Sequence, residues 1–192
     1  MVEFLYSIDK AVFFFLNHTI SNPVLDWLMP FLTDLNKHKP AIAVAVMLWL
    51  WLMIRGGSRG RTAGILLVIS IVVSDQFSSS VLKHFVGRLR PCHVLQGVRL
   101  LVDCGSGFSF PSSHAVNNFA GATILTHYYR KYAWGWISLA SLIALSRPYI
   151  GVHYPSDIVG GALIGWACAF AVIESWEFVE RSVVRKYFRR PQ

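Results

Sequence analysis

Charged side chains are scarce. They make up 15% of the 192 residues, against about 25% in an ordinary soluble domain. Acidic residues are the scarcest part of that set, 10 against 18 Lys plus Arg. Three cysteines are too few for a disulfide-packed secreted miniprotein. No glycine period suggests collagen, and 54% hydrophobic with 14% aromatic residues excludes a disordered chain. No basic stretch precedes the apolar residues 4–16 and no small-residue cleavage site follows them, so a signal peptide is not expected and the start is expected to be retained. The net charge of +8 would suit a nucleic-acid binder, but so apolar a chain cannot hide its hydrophobic residues inside a soluble globule of this size. A single membrane domain covering residues 1–192 is expected, with the lipid bilayer and not nucleic acid as its partner.

Crossing a hydrocarbon core takes about 20 mostly apolar residues. Five clear runs approach this: residues 40–54, 64–85, 115–129, 134–150 and 158–179. A weaker run, residues 4–20, contains Asp9 and Lys10 and is read as a sixth span, with an amphipathic interfacial helix as the alternative. Residues 22–36, interrupted by Asp26, Trp27, Pro30 and Asp34, read as an interfacial segment too polar to cross. The expected fold class is all-α, a polytopic membrane helix bundle of about six transmembrane helices with an interfacial N-terminal segment. Gly160, Gly161 and Gly165 suit close packing within the bundle. Trp49, Trp51, Trp134, Trp136 and Trp166 read as interface belts or packing.

Basic residues in short loops stay on the cytoplasmic side. Arg55, Arg59 and Arg61 form one such loop, Arg130 and Lys131 another, and Arg181, Arg185, Lys186, Arg189 and Arg190 a basic tail. Six alternating spans put all of these on one face, with both termini cytoplasmic. Residues 83–113 and 147–156 then share the external face.

Three motifs converge on that external face. In the first, Lys83 is followed after six residues by Arg90 and Pro91. Two fixed cations about two helical turns apart suit an anion, although basic residues at a membrane border also serve as interfacial anchors. In the second, Pro111, Ser112, Ser113 and His114 stand just ahead of an apolar helix, whose unpaired N–H groups and positive dipole end attract phosphate. Plain capping by Ser112 is the alternative. In the third, Ser146 and Arg147 precede His153 and Asp157. A carboxylate in the first turn of the last helix fixes one imidazole nitrogen and leaves the other as a nucleophile or base, unless Asp157 is there only for the helix dipole.

Together these residues resemble the three-part signature of the type 2 phosphatidic acid phosphatase family, integral-membrane lipid phosphate phosphatases. Order and spacing match over residues 83–157, the signature region. The resemblance implies that His153 attacks phosphorus and becomes a phosphohistidine, that Asp157 orients it, and that His114 protonates the departing oxygen and then activates water. It implies phosphate binding by Lys83, Arg90, Ser112, Ser113 and Arg147, with no cofactor. Three cations around the histidines would repel a divalent metal. The family pattern most often has glycine where this chain has Ser113, a change that keeps the backbone N–H.

The expected activity is removal of the terminal phosphate from a lipid phosphate or diphosphate at the external leaflet of a bacterial inner membrane. Undecaprenyl diphosphate is the first choice, with phosphatidylglycerophosphate and lipid A 1-phosphate as alternatives. A non-catalytic lipid-binding or transport protein is the competing class, and a soluble haloperoxidase-like relative conflicts with the apolar spans. Cys92 and Cys104 bracket eleven residues of the external loop and are a candidate disulfide in an oxidising periplasm, the alternative being two free thiols. Cys168, inside the last apolar helix, reads as an unpaired, partly buried thiol. Asp75 is left between pairing with a motif cation and polar packing. Lys37, Lys39, Arg88 and Arg99 read as ordinary external cations, and His18, His84, His93 and His127 have no evident partner. Nothing in the sequence sets the oligomeric state.

Overall fold

Proline stands in the first turn of several helices. The computed structural model describes residues 2–188, and every regular element among them is helical. Helix α1 (Val2–Phe14) widens into a π-helical turn, Phe15–Thr19. Asn22 then caps α2 (Pro23–Thr33): its side-chain oxygen accepts the N–H groups of Val24 and Leu25, each at 3.0 Å, satisfying donors that a helix start otherwise leaves unpaired. Helices α3 (Lys39–Arg55) and α4 (Gly57–Gln76) pack as a hairpin. The Trp49 indole donates to the Gly64 carbonyl at 3.0 Å, so this tryptophan serves helix packing.

Helix α4 runs through a second π-helical segment, Phe77–Leu82, into the short α5 (Lys83–Val86). Gly87, in the left-handed region at φ 60°, ends it in the way glycine permits and turns the chain toward Arg88 and Arg90. After the single turn of α6 (Pro91–Val94) and a long loop come α7 (Ser113–Tyr128), α8 (Ala133–Tyr149) and α9 (Pro155–Phe188). Of the basic tail, Arg189 and Arg190 lie outside the described residues, as do the side chains of Arg185 and Lys186.

Helix α7 is central, packed against α4, α8 and α9. Leu66, Ala120, Ile124, Ala169 and Ile173 bury one cluster among α4, α7 and α9, while Ala115, Ala144 and Ile158 join α7, α8 and α9 near the signature residues. Residues 22–36 fold as α2 and a 3₁₀ turn (Leu35–Lys37). Met29 of α2 packs on Tyr149, Ile150 and Val152, laying that segment over one end of α8. Outward faces stay apolar, since Leu48, Trp51, Ile54, Leu163 and Trp166 are all more than half exposed, a surface suited to a bilayer. By length and composition, the stretches Gly57–Val94 and Pro155–Val183 are sufficient to cross a membrane.

The α7–α9 contact depends on glycine. A Cβ on Gly161 would lie 2.9 Å from both the Ala115 Cβ and the Ser112 carbonyl oxygen, and one on Gly165 would collide with the Val116 carbonyl oxygen. Backbone cannot yield as a side-chain tip can. Gly165→Ala is therefore expected to cost about 1–3 kcal/mol by overpacking, read as a Tm several degrees lower in detergent. An unchanged Tm would mean that the helices separate freely.

Candidate active site

The close α7–α9 approach brings the second and third motifs together. The Ser112 N–H donates to the Asp157 carbonyl at 3.2 Å, linking the start of α7 to the first turn of α9. Burial is nearly complete, with His153 1% exposed and Asp157, Ser109 and Ser112 at 0%.

Asp157 is the centre of this network. Its Oδ2 accepts the Ser109 hydroxyl at 2.5 Å and the Tyr154 N–H at 2.8 Å, and faces His153 Nδ1 at 3.5 Å. Nδ1 also lies 3.4 Å from Ser109 Oγ. Two oxygens on one side of the ring favour the tautomer with hydrogen on Nδ1, which leaves the Nε2 lone pair available for attack. Burial pushes the imidazole down to about 3; the bond to Asp157 opposes this and Arg147 reinforces it. His153 is neutral at ordinary pH, which keeps that lone pair free.

Cations surround the pair. Lys83, Arg90 and Arg147 are close enough to act on one another electrostatically, and Arg90 and Arg147 are buried. The Arg90 Nε donates to the Gly107 carbonyl at 2.8 Å, which fixes the fork and leaves its terminal nitrogens for other acceptors. Two buried polar atoms here, Arg147 Nε and Ser112 Oγ, have no hydrogen-bond partner. Each is a donor group with no acceptor in this arrangement. The first N–H groups of α7, at Ser113 and His114, have no intrahelical acceptor either. Among the described residues no non-glycine has positive φ, so Ser113 occupies ordinary backbone that does not require glycine.

His114 is tied to α2, a partner the sequence did not suggest. Its Nε2 lies 3.0 Å from the Thr33 carbonyl, and the Thr33 hydroxyl accepts Arg147 Nη1 at 2.8 Å. Thr33 thus fixes two signature side chains at once.

Arg88 corrects a sequence expectation. It is no ordinary external cation: its Nη1 donates to Asp157 Oδ1 at 2.7 Å and to Ser156 Oγ at 2.6 Å, its Nη2 donates to Asp9 Oδ2 at 2.6 Å, and its guanidinium lies 3.9 Å from the Tyr154 ring centroid. Asp9 in turn accepts the Ser156 N–H at 2.9 Å. The polar break in the weakest apolar run is therefore an ion pair that ties α1 to the start of α9. Arg99 likewise pairs with Asp26, and its N–H donates to Asn17 Oδ1 at 2.8 Å. Asp75 accepts from Asn117 Nδ2 at 2.8 Å and acts electrostatically on Lys83, so a polar packing bond holds it with a signature cation in reach of its charge. His18 contacts the Gly97 carbonyl and His127 faces Glu177. Neither borders the signature.

Cys92 and Cys104 are joined in a disulfide with Cα atoms 6.2 Å apart, beside Arg90 and Pro91. With His93 they form the one metal-ligand grouping of three found among the described residues. Metal binding there needs thiolates, and both sulfurs are bonded to each other.

Comparison with known proteins bears out the family resemblance. A lipid A 4'-phosphatase of Bacteroides thetaiotaomicron is 33% identical over 178 residues, covering 86% of this chain and 75% of that one. An undecaprenyl-diphosphatase of Sulfolobus acidocaldarius is 36% identical over 118 residues, which cover 60% of this chain and 56% of that relative. The crystal structure of Aquifex aeolicus LpxE superimposes with a TM-score of 0.72 at 28% identity, over 86% of this chain and 94% of that one. The PAP2 superfamily model matches residues 63–181, a segment that contains every signature residue, and the chain belongs to that superfamily.

Proposed function

We propose that this chain removes the terminal phosphate from a lipid phosphate or diphosphate through a phosphohistidine on His153. The observation that carries the reading is the buried, neutral His153, held by Asp157 and Ser109 among Lys83, Arg90 and Arg147 beside two unpartnered donors. His153 Nε2 attacks phosphorus and the bond to the lipid oxygen breaks as His114 gives that oxygen a proton. Water, deprotonated by His114, then attacks phosphorus; the P–N bond breaks and its electron pair returns to Nε2. Lys83, Arg90, Arg147, Ser112 and the Ser113 and His114 N–H groups hold the charged oxygens throughout, which is most of the work in phosphoryl transfer. In this reading the cations supply the positive charge that a metal would otherwise bring.

The same reading treats residues 1–192 as one domain with six spans: α1, α3, α4 with α5, α7, α8 and α9. The signature faces the exterior of a bacterial inner membrane and both termini face the cytoplasm. The basic loops 55–61 and 130–131 support this orientation. Relatives named for undecaprenyl diphosphate and for lipid A support a cell-envelope lipid phosphate, with undecaprenyl diphosphate the choice made from sequence.

The test is inorganic phosphate release by the purified chain in detergent with chelator present, from farnesyl diphosphate, phosphatidylglycerophosphate and lipid A. Release from at least one lipid, undiminished by chelator, is expected. Silence with all three overturns the proposal.

A further inference from the structure

His114 and Arg147 share a partner that belongs to none of the three motifs. Thr33, the last residue of α2, is 1% exposed and lies outside residues 63–181, the segment matched by the superfamily model. The carbonyls of a helix's last turn have no intrahelical donor, and the one on Thr33 takes its bond from His114 Nε2 at 3.0 Å. The hydroxyl of the same residue accepts Arg147 Nη1 at 2.8 Å. Among the described residues, neither the His114 ring nor the Arg147 guanidinium has another hydrogen-bond partner.

Each contact has a chemical consequence. A carbonyl only accepts, so the hydrogen of a neutral His114 sits on Nε2 and the lone pair on Nδ1. Nδ1 is then the nitrogen left for the reaction: protonated, it gives its hydrogen to the lipid oxygen as the P–O bond breaks, and neutral, it takes one from water. Arg147 is buried and has no ion pair among the described residues. Thr33 Oγ1 therefore sets the direction of its planar fork, and direction is what an arginine needs for bidentate contact with phosphate.

Other contacts hold α2 in place. Tyr149, two residues after Arg147 on α8, donates its hydroxyl to Asp26 Oδ1 at 2.5 Å, Arg99 pairs with the same carboxylate, and Met29 packs on Tyr149, Ile150 and Val152. The end of α8 that carries Arg147 thus anchors the helix that carries Thr33.

We propose that Thr33 is a positioning residue for both steps of the reaction, its carbonyl fixing the His114 tautomer and its hydroxyl aiming Arg147 at the phosphate. This rests on the phosphatase reading above and extends the working site to α2, beyond the three motifs.

The first test needs no change at Thr33. Nuclear magnetic resonance of isotope-labelled histidine nitrogens in detergent, at alkaline pH and with His114 assigned by the signals lost in His114→Gln, should show hydrogen on Nε2; hydrogen on Nδ1 overturns the proposal. The second test uses Thr33→Val, which keeps the shape and the carbonyl and removes the hydroxyl. The inhibition constant of inorganic phosphate should rise and kcat/KM should fall, each roughly tenfold, the low end for a lost hydrogen bond to a charged group. Thr33→Ser, which keeps the hydroxyl, should stay close to wild type. In an Arg147→Met background Thr33→Val should add little, because the group it aims is gone. A threonine buried only for packing would lower Tm in both variants and leave the phosphate constant unmoved. That result, or equal losses in Thr33→Val and Thr33→Ser, overturns the proposal and leaves the phosphatase reading intact. No release from any lipid by wild type overturns that reading, and the proposal with it.

Discussion

His153→Ala is expected to lower phosphate release by at least about 10⁴-fold, because removing the nucleophile of a covalent mechanism removes the pathway and not merely one contact. The protein should also lose a specific chemical mark. Wild type quenched during turnover should carry acid-labile, base-stable phosphate on one histidine, and His153→Ala none. His114→Ala separates the two roles. With a good leaving group such as p-nitrophenol, attack needs little protonation while hydrolysis of the phosphoenzyme still needs a base, so label should accumulate. Labelled His153→Ala would overturn the nucleophile assignment, and so would a His114→Ala enzyme that turns over normally. The pH profile adds a third check. Only the neutral imidazole attacks, so activity due to this group is present above its pKa and lost as pH falls through it. With burial holding that value at about 3, phosphoenzyme formation should persist at pH 5, where a histidine titrating near its usual 6.5 would be mostly protonated.

The sequence carried the chemistry further than the architecture around it. Lys83, Arg90, Ser112, His114, Arg147, His153 and Asp157 fall in short motifs whose spacing alone places them at helix ends; Arg90, Ser112, Arg147, His153 and Asp157 are buried, and Lys83 and His114 are half-buried. Ser109, Thr33, Asp9 and Arg88 could not be read the same way. Each acts across a large sequence separation, as in the contacts of Thr33 with Arg147 or Asp9 with Ser156, and none belongs to a local pattern. A signal existed only for Asp9: a carboxylate in an apolar run is costly unless it finds a partner, and that cost pointed to a cation without saying which. Residues 22–36, read from sequence as an interfacial segment too polar to cross, form a helix and a 3₁₀ turn. Their helical form follows from the Asn22 cap and Pro23, and their place over His114 follows from packing on Tyr149 and Ile150, which no local pattern records.

Arg88→Met should be the most damaging change outside the signature. The guanidinium is bonded to two carboxylates that are themselves buried, Asp9 at 9% and Asp157 at 0% exposed. Removing it leaves both charges without their cation in a poorly solvated pocket. Breaking such a pair from one side costs about 3–5 kcal/mol, which should appear as a large fall in Tm. The catalytic effect travels through Asp157. Freed from Arg88 on Oδ1, the carboxylate can rotate away from His153 Nδ1, so kcat should fall by roughly 10²-fold as for a lost orienting contact. KM should stay close to wild type, since Arg88 is a positioning residue bonded to carboxylates and not to phosphate. Arg88→Lys restores a charge but cannot span both carboxylates, and should recover part of the stability with little of the rate. Asp9→Asn supplies the decisive comparison. Alone it removes one end of the bridge, but in the Arg88→Met background it removes an unpaired charge, so the double variant should be more stable than Arg88→Met. Additive losses, or a raised KM with kcat preserved, would place Arg88 on the substrate and not behind the nucleophile.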